Sequence, residues 1–327
     1  MAMLSKTFNV FKSAVFNTAI DEALERSCPK GIKREPCYTA ALTKELPQIL
    51  NDIINNNTKG MGAHPKYRFG SCYVHQKPYV KFGPNFGLRR ELGDLLVLAK
   101  RTINGNVALN SALFQLKKTT GKKLRIPKSG GEDEQLTLYT KWGKLKIDLK
   151  SENTKIYDVT IYDVTPHAVS QGGSYMFVRQ DRQRPKFVVA IPNREMETIS
   201  LSSVGCYQYP KSFGHYLSDM VEWHCGRTIA PKGDIKKGCA DDWSKLIWRV
   251  IDLLEGASCN CKGYGVVERD NGSGDLAFLM NSPKIDSIGE SEKMNADAEM
   301  TSEPNMTGFG VIYIEESDDS ENRRVRE

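Results

Sequence analysis

The sequence predicts an α/β fold in which a central mixed β-sheet carries helices on both of its faces. Three observations support this fold: an amphipathic segment at residues 38–57, an apolar hairpin at residues 94–118, and short apolar runs that alternate with helical segments further along the chain. Such alternation is typical of folds in which helices cover a sheet. The length of 327 residues suits one large domain or two moderate ones.

The helices are predicted from the spacing of apolar residues. One helix is predicted at residues 38–57, where Pro47 marks a kink or a helix start. Further helices are predicted at residues 132–142, 213–225 and 241–255. Asp241 and Asp242 are suited to cap the last of these helices. The apolar residues that share one face of the first helix are Leu42, Leu46, Ile49, Leu50, Ile53 and Ile54.

Residues 94–118 give the clearest strand signal. An apolar run follows Asp94, Asn104-Gly105 is a dipeptide favoured in tight hairpin turns, and residues 111–118 have the pattern of the returning strand. Further strands are predicted at residues 72–76, 79–82, 156–164, 175–179 and 186–191. Residues 1–255 are predicted to form the core. Residues 256–327 are predicted to be a mobile C-terminal region with a candidate late strand at 310–314.

Polar residues of this hairpin suggest a metal site. Gln115 and Lys117 are two residues apart, so their side chains leave the strand on the same face, and the hairpin brings Asp94 towards them. The Asp94 carboxylate and the Gln115 carbonyl are oxygen ligands suited to Mg²⁺. Lys117 is placed to orient a water molecule or to stabilise a developing anion. This set of groups predicts metal-dependent hydrolysis of a phosphodiester bond.

The segments Glu91-Leu-Gly-Asp94 and Gln115-Leu-Lys117 resemble the PD-(D/E)xK superfamily of restriction-endonuclease-like nucleases, in a Gln-x-Lys variant. The helix at 132–142, which contains Glu134-Gln135, resembles the one that follows this strand in bacterial relatives. The resemblance implies a restriction-endonuclease-like fold and a Mg²⁺- or Mn²⁺-dependent endonuclease, with DNA as the expected substrate. It also implies an effector of a bacterial anti-phage or restriction system that acts with a partner protein, an ATPase or a sensor.

The chain departs from the family pattern at two positions. Gly93, and not Pro, precedes Asp94, and Gln115 replaces the usual second acid. In this family an acid from the first helix often completes the site. Glu45 is the expected residue, Glu35 is the next candidate and Glu91 is a local substitute. The alternative for Glu45 is a solvated acid on a helix surface.

The charge distribution suits a polyanionic partner. The formal net charge is +6, and residues 59–150 are rich in Lys and Arg, which release counterions when they bind a phosphate backbone. A lysine-rich solvated surface is the alternative explanation. Tyr139 and Trp142 are placed either to stack on bases or to pack in the core. The basic residues expected to contact phosphates are Lys118, Lys122, Lys123 and Arg125.

The remaining features limit the other possibilities. The eight cysteines have irregular spacing, which suggests free thiols in a reducing cytoplasm. The sequence has no glycine-rich phosphate loop, so ATP hydrolysis by this chain is not expected. Because the second carboxylate is missing, the alternative function is a catalytically degraded nuclease-like scaffold that binds nucleic acid or a partner protein.

Overall fold

The fold is seen in a computed structural model of the chain. The residues that it describes are 2–27, 35–58, 66–74, 77–103, 106–119, 123–124, 132–148, 160–165, 172–179, 186–190, 199–200, 211–238, 240–255, 259–264 and 308–317. Along these residues, no helix is both long enough and apolar enough to cross a lipid bilayer.

All four predicted helices form close to their expected positions, and the described residues contain two further helices that were not predicted, α1 and α5. The helices are α1 (Ala2–Ser27), α2 (Glu35–Thr58), α3 (Glu132–Lys141), α4 (Phe213–Val221), α5 (Lys232–Lys236) and α6 (Asp242–Glu255). The amide of Ser244 donates to Asp241 Oδ1 at 2.8 Å, so Asp241 caps α6 as predicted. Pro47 lies inside α2, which continues on both sides of it.

The described strands form one large sheet, one small sheet and a short strand pair. The strands are β1 (Lys66–Val74), β2 (Tyr79–Phe82), β3 (Leu88–Glu91), β4 (Leu95–Ile103), β5 (Asn106–Thr119), β6 (Lys123–Leu124), β7 (Gly143–Asp148), β8 (Tyr162–Val164), β9 (Gly173–Arg179), β10 (Lys186–Ala190), β11 (Ile199–Ser200), β12 (Lys211–Ser212), β13 (Arg227–Ile229), β14 (Cys259–Tyr264) and β15 (Phe309–Ser317).

The large sheet is mixed, as predicted. Its strand order is β12-β10-β9-β5-β4-β15-β1-β14, and β13 also pairs with β5. The pairs β4–β15 and β5–β9 are parallel, whereas β4 and β5 form the predicted antiparallel hairpin. The hairpin turn at Asn104-Gly105 lies outside the described residues. Strand β5 extends beyond the start of β4, and there it pairs with β9.

Helices cover both faces of this sheet. On one face α1, α2 and α4 pack against residues such as Val97, Phe114 and Leu116. On the other face α3, α6 and the small sheet pack against Leu96, Leu98 and Leu113. The small sheet has the strand order β3-β2-β7-β8. The protein is therefore an α/β protein with a central mixed sheet between two layers.

The strand expected near residue 310 is present and lies in the middle of the large sheet. Strand β15 lies between β4 and β1 and pairs with both along most of its length. The predicted end of the core at residue 255 is therefore too early, because residues 309–317 fill a central position in the sheet. Residues 265–307, which include most of the region predicted to be mobile, lie outside the described residues.

Candidate active site

Asp94 lies at the start of β4 and is fixed by its own backbone. Its amide donates to the Phe114 carbonyl at 2.8 Å, and its carbonyl accepts from the Gly310 amide at 2.9 Å. The residue is thus tied to the neighbouring strands β5 and β15. Only 1% of Asp94 is exposed. Its carboxylate therefore has a defined position inside the protein.

Gln115 lies directly beside Asp94. The register pairs Leu95 with Phe114, so the next residues outward are Asp94 and Gln115. The Gln115 side-chain amide donates to Asp94 Oδ2, and the Leu116 backbone amide donates to the same oxygen at 2.8 Å. The predicted approach of Asp94 to Gln115 is confirmed.

Among the described residues, the Gln115 carbonyl oxygen has no hydrogen-bond partner. Gln115 is 4% exposed, and its Oε1 accepts no hydrogen bond from any described residue. A buried carbonyl that loses its hydrogen bonds to water without replacement costs about 1–3 kcal/mol. Such an atom in a folded protein needs an explanation, and a bound ion is one of the usual ones.

Lys77 joins Asp94 to a second acid. Its ammonium donates to Asp94 Oδ1 at 2.9 Å and to Glu91 Oε2 at 2.7 Å. The hydroxyl of Tyr79 donates to the other Glu91 oxygen at 3.3 Å. We refer to Lys77, Glu91, Asp94 and Gln115 as the Asp94 site. Glu91 was expected only as a local substitute, and Lys77 was not predicted at all, because nothing in the residues around it indicates this contact.

Helix α3 holds the segment that carries both acids. The Gln135 side chain donates to the Glu91 carbonyl at 3.0 Å, and the Tyr139 hydroxyl donates to the Leu92 carbonyl at 2.7 Å. A side chain at Gly93 would lie 3.0 Å from the Tyr139 hydroxyl and 3.1 Å from the Phe114 carbonyl. Glycine before Asp94 therefore permits the close approach of α3 and β5.

Tyr139 and Trp142 belong to the core and are not available to stack on bases. They are 0% and 4% exposed, and their rings stack on each other with centroids 5.5 Å apart. Of the two roles that their sequence positions left open, the structure supports packing. Tyr139 still contributes to the site through the hydrogen bond that positions Leu92.

The charges of the site are strongly coupled. Burial raises the pKa of Asp94 to about 6, although the Lys77 ammonium and the Leu116 amide favour the ionised form. Burial by itself would lower the pKa of Lys77, but the carboxylates of Asp94 and Glu91 reverse this effect and raise it above its usual range. The ammonium therefore stays charged and compensates the two acids.

Lys117 follows Gln115 by two residues on β5, so strand geometry places both on the same face. Lys117 is partly buried and pairs in register with Phe177 of β9. Lys118 is exposed, and its backbone amide donates to Glu35 Oε1 at 2.9 Å. Glu35 therefore lies near the end of β5 just beyond Gln115.

Glu45 does not join the Asp94 site. Its carboxylate accepts from the Ser27 hydroxyl at 2.6 Å and lies 3.6 Å from the Lys44 ammonium, so it connects α2 with α1. Helix α2 packs on the face of the sheet formed by residues such as Leu95 and Phe114, whereas Gln115 leaves β5 on the other face. Glu91 is the second acid beside Asp94.

The basic residues predicted to bind phosphates are only partly described. Lys122 and Arg125 lie outside the described residues. Lys123 is in β6, where it pairs in register with Ser200 of β11. Lys118 is the member of this set with an exposed position at the end of β5.

The donor set fits a hard divalent cation that keeps several of its water molecules. Two carboxylates and the side-chain amide of Gln115 meet at the Asp94 site, and the carbonyl oxygen of that amide has no partner among the described residues. Mg²⁺ is usually bound by one or two carboxylates together with water and substrate oxygens. Among the described residues, no group of three or more His, Cys, Asp or Glu side chains forms a metal cage. The fit depends on Gln115 as a neutral oxygen ligand.

Comparisons with known proteins give no match: no protein-family model, no curated protein and no solved structure is significantly similar to this chain.

Proposed function

We propose that this protein is a Mg²⁺- or Mn²⁺-dependent endonuclease in which Asp94 and Gln115 hold the metal. The observation that carries the proposal is the buried Gln115 side chain, whose amide nitrogen donates to the buried Asp94 carboxylate and whose carbonyl oxygen has no partner among the described residues. To bind the same ion as Asp94, the amide would turn so that its oxygen takes the place of its nitrogen. The order of Asp94, Gln115 and Lys117 along the hairpin agrees with the Gln-x-Lys variant of the PD-(D/E)xK nucleases.

Each residue of the site has a distinct role in this proposal. Asp94 and Gln115 would supply the oxygens that bind the ion, with Glu91 as the additional acid. Bound Mg²⁺ lowers the pKa of a coordinated water and neutralises charge on the scissile phosphate. Lys117 holds the attacking water or stabilises the developing anion. Lys77 compensates the two carboxylates while no divalent ion is bound, because both cations would use the same carboxylate oxygens.

The resemblance supports DNA as the substrate and a bacterial anti-phage or restriction system as the setting. In such a system a partner ATPase or sensor would activate or target the nuclease, since the sequence has no phosphate-binding loop of its own. The cytoplasmic localisation expected from the cysteine content stays a prediction.

A nuclease-like scaffold without catalytic activity is the second candidate. The observation in its favour is Lys77, which already compensates both carboxylates without a metal ion. In this case the fold would bind nucleic acid or a partner protein. The unpartnered Gln115 oxygen favours the enzyme, because an ion pair between Lys77 and the acids leaves that oxygen unsatisfied.

Plasmid cleavage with Mg²⁺ or Mn²⁺ separates the two candidates. We expect the wild type to cut, and we expect Asp94→Asn to lose about 10²–10³-fold or more in rate, the usual cost of one electrostatic stabiliser in an active site. Glu45→Gln is the matched control, because Glu45 contacts Ser27 and Lys44 and lies outside the site. Equal cutting by Asp94→Asn would contradict the proposal. A wild type that binds DNA and never cuts it would favour the scaffold.

A further inference from the structure

The outer face of the small sheet carries three basic residues in one row. Val80 and Phe82 of β2 and Leu145 and Ile147 of β7 are buried, so the residues between them point outwards. Lys81 lies opposite Arg89 of β3 on one side and opposite Lys146 of β7 on the other. We call Arg89, Lys81 and Lys146 the basic row.

The dimensions of the basic row suit a phosphate backbone. Neighbouring strands are about 4.7–4.9 Å apart, so three strands place their charges along a line of roughly 10 Å. Lys81 is 45% exposed and Arg89 is 32% exposed, and both can reach a ligand above the sheet. A line of cations at this spacing can contact successive phosphates of one nucleic-acid strand.

The stability of the sheet does not explain this arrangement. Like charges directly opposite each other on neighbouring strands destabilise a sheet. One acid partly offsets this cost, since Asp148 accepts from Arg89 and lies 3.8 Å from the Lys81 ammonium. Lys144 and Asp163 face each other in register further along the same sheet. In the described part of the chain, Lys146 forms no ion pair with an acidic side chain. Its charge is therefore available to a polyanion.

Aromatic rings hold the ends of the row in place. The Arg89 guanidinium lies 3.8 Å from the centroid of the Tyr79 ring, and the Lys146 ammonium lies 4.4 Å from that of Phe86. Phe86 has a φ of 56°, a left-handed conformation that is uncommon for an aromatic residue. The backbone of the turn before β3 is therefore strained at Phe86, and the strained conformation places the Phe86 ring beneath the Lys146 ammonium.

The basic row is continuous with the Asp94 site. Arg89 precedes Glu91 by two residues on β3, and Tyr79 contacts both of them, through its ring and through its hydroxyl. Lys77, just before β2, bonds Glu91 and Asp94. A polyanion along the row would thus reach the acids of the site at the end of β3.

We propose that the outer face of the small sheet binds the phosphate backbone of duplex DNA and guides it to the Asp94 site. This inference rests on the proposed function, which supplies the reason for DNA to enter the site. It assigns the main phosphate contacts to Arg89, Lys81 and Lys146, in addition to the residues at and beyond the end of β5 that the sequence suggested.

The test is the binding of a short fluorescein-labelled DNA duplex in EDTA, measured by anisotropy at several salt concentrations. The double variant Lys81→Gln/Lys146→Gln removes two charges that are not needed to compensate a buried acid. We expect its affinity to fall at least about tenfold and its salt dependence to weaken by about one counterion per residue removed. Lys186→Gln/Lys237→Gln is the matched control, because it removes two lysines from β10 and from the end of α5 and should bind as the wild type does.

The outcomes separate this inference from the proposed function. Equal losses in both double variants, or unchanged binding by Lys81→Gln/Lys146→Gln, would overturn the assignment of the surface even if the wild type cuts plasmid. If only Lys81→Gln/Lys146→Gln loses binding, the assignment of the DNA-binding surface to the small sheet is supported. This holds even if no divalent ion gives cleavage and the proposed function fails.

Discussion

Acidic and basic side chains meet at both ends of β4, but the two ends differ in the ratio of cations to acids. At the far end Lys100 and Arg101 pair in register with Glu315 and Glu316 of β15. The β4–β15 network consists of Arg68, Lys100, Arg101, Glu222, Glu315 and Glu316. Three cations meet three acids there, with distances of 3.1 Å from Lys100 to Glu315 and 2.8 Å from Arg101 to Glu316.

At the near end one ammonium serves two carboxylates. Lys77 contacts Glu91 and Asp94, and the Gln115 carbonyl oxygen beside them has no partner among the described residues. Cross-strand register explains the pairs that Glu315 and Glu316 form, and Glu222 joins the network from the end of α4. Glu315 Oε2 and Arg68 Nη1 also lack hydrogen bonds among the described residues, but they lie 3.6 Å apart as an ion pair. The Asp94 site differs because it has one more acid than it has cations. We infer from this difference in charge that a ligand completes the compensation at the Asp94 site.

Removal of Lys117 should have the largest effect on catalysis and would sharpen the contrast between the two ends. We expect Lys117→Ala to cut DNA about 10²–10³-fold more slowly at saturating DNA, because it loses one oriented electrostatic stabiliser. Lys117→Arg should also be impaired, since a planar guanidinium does not replace a compact ammonium. Single-turnover cleavage measures both. Lys118→Ala is the comparison, because Lys118 is exposed and leaves the strand on the other face. Equal losses in Lys117→Ala and Lys118→Ala would indicate a general charge effect.

The next effect concerns stability. Glu315→Gln should lower the free energy of unfolding by about 3 kcal/mol, because it leaves Lys100 and Arg68 without their buried acid. Asp94→Asn should lower it by less, about 1–2 kcal/mol, because its NH₂ group must face one of the donors to Asp94 but the buried carboxylate is itself costly and Lys77 keeps Glu91. Urea unfolding followed by circular dichroism measures both values. A larger loss in Asp94→Asn than in Glu315→Gln would remove the distinction between the two ends.

A smaller effect is expected when the internal cation is removed. Lys77→Met keeps the length and the apolar part of the side chain and frees both carboxylates. We expect the affinity for Mn²⁺ to rise about tenfold, equivalent to ~1.4 kcal/mol, because the ion no longer competes with the ammonium. Isothermal titration calorimetry measures the change. Unchanged or weaker binding would show that Lys77 supports the site and does not compete with a metal.

Much of the fold and part of the site follow from local patterns. The helical spacing at residues 38–57 and the turn dipeptide after β4 depend on near neighbours, so α2 and the β4–β5 hairpin form where they were predicted. The contact between Asp94 and Gln115 is also a consequence of hairpin register. Within a hairpin, sequence separation determines which residues are opposite each other.

The parts that could not be predicted depend on contacts between distant segments. Lys77 contacts Asp94 because the small sheet packs beside the large one. No periodicity in the sequence relates the positions of these two residues. Strand β15 is more than 200 residues after its partner β4, and its apolar run gives no indication of which strands it joins. Glu45 has the right residue type on the right helix, but its helical phase and the packing of α1 direct it to Ser27.

Calorimetric titration of the protein with Mn²⁺, and then with Mg²⁺, tests the central claim most directly. The wild type should bind the ion at the Asp94 site, and Asp94→Ala should lose this binding. Glu315→Gln, which changes a buried acid at the other end of the sheet, should bind the ion as the wild type does. No binding to the wild type, or the same binding to Asp94→Ala, would contradict the account.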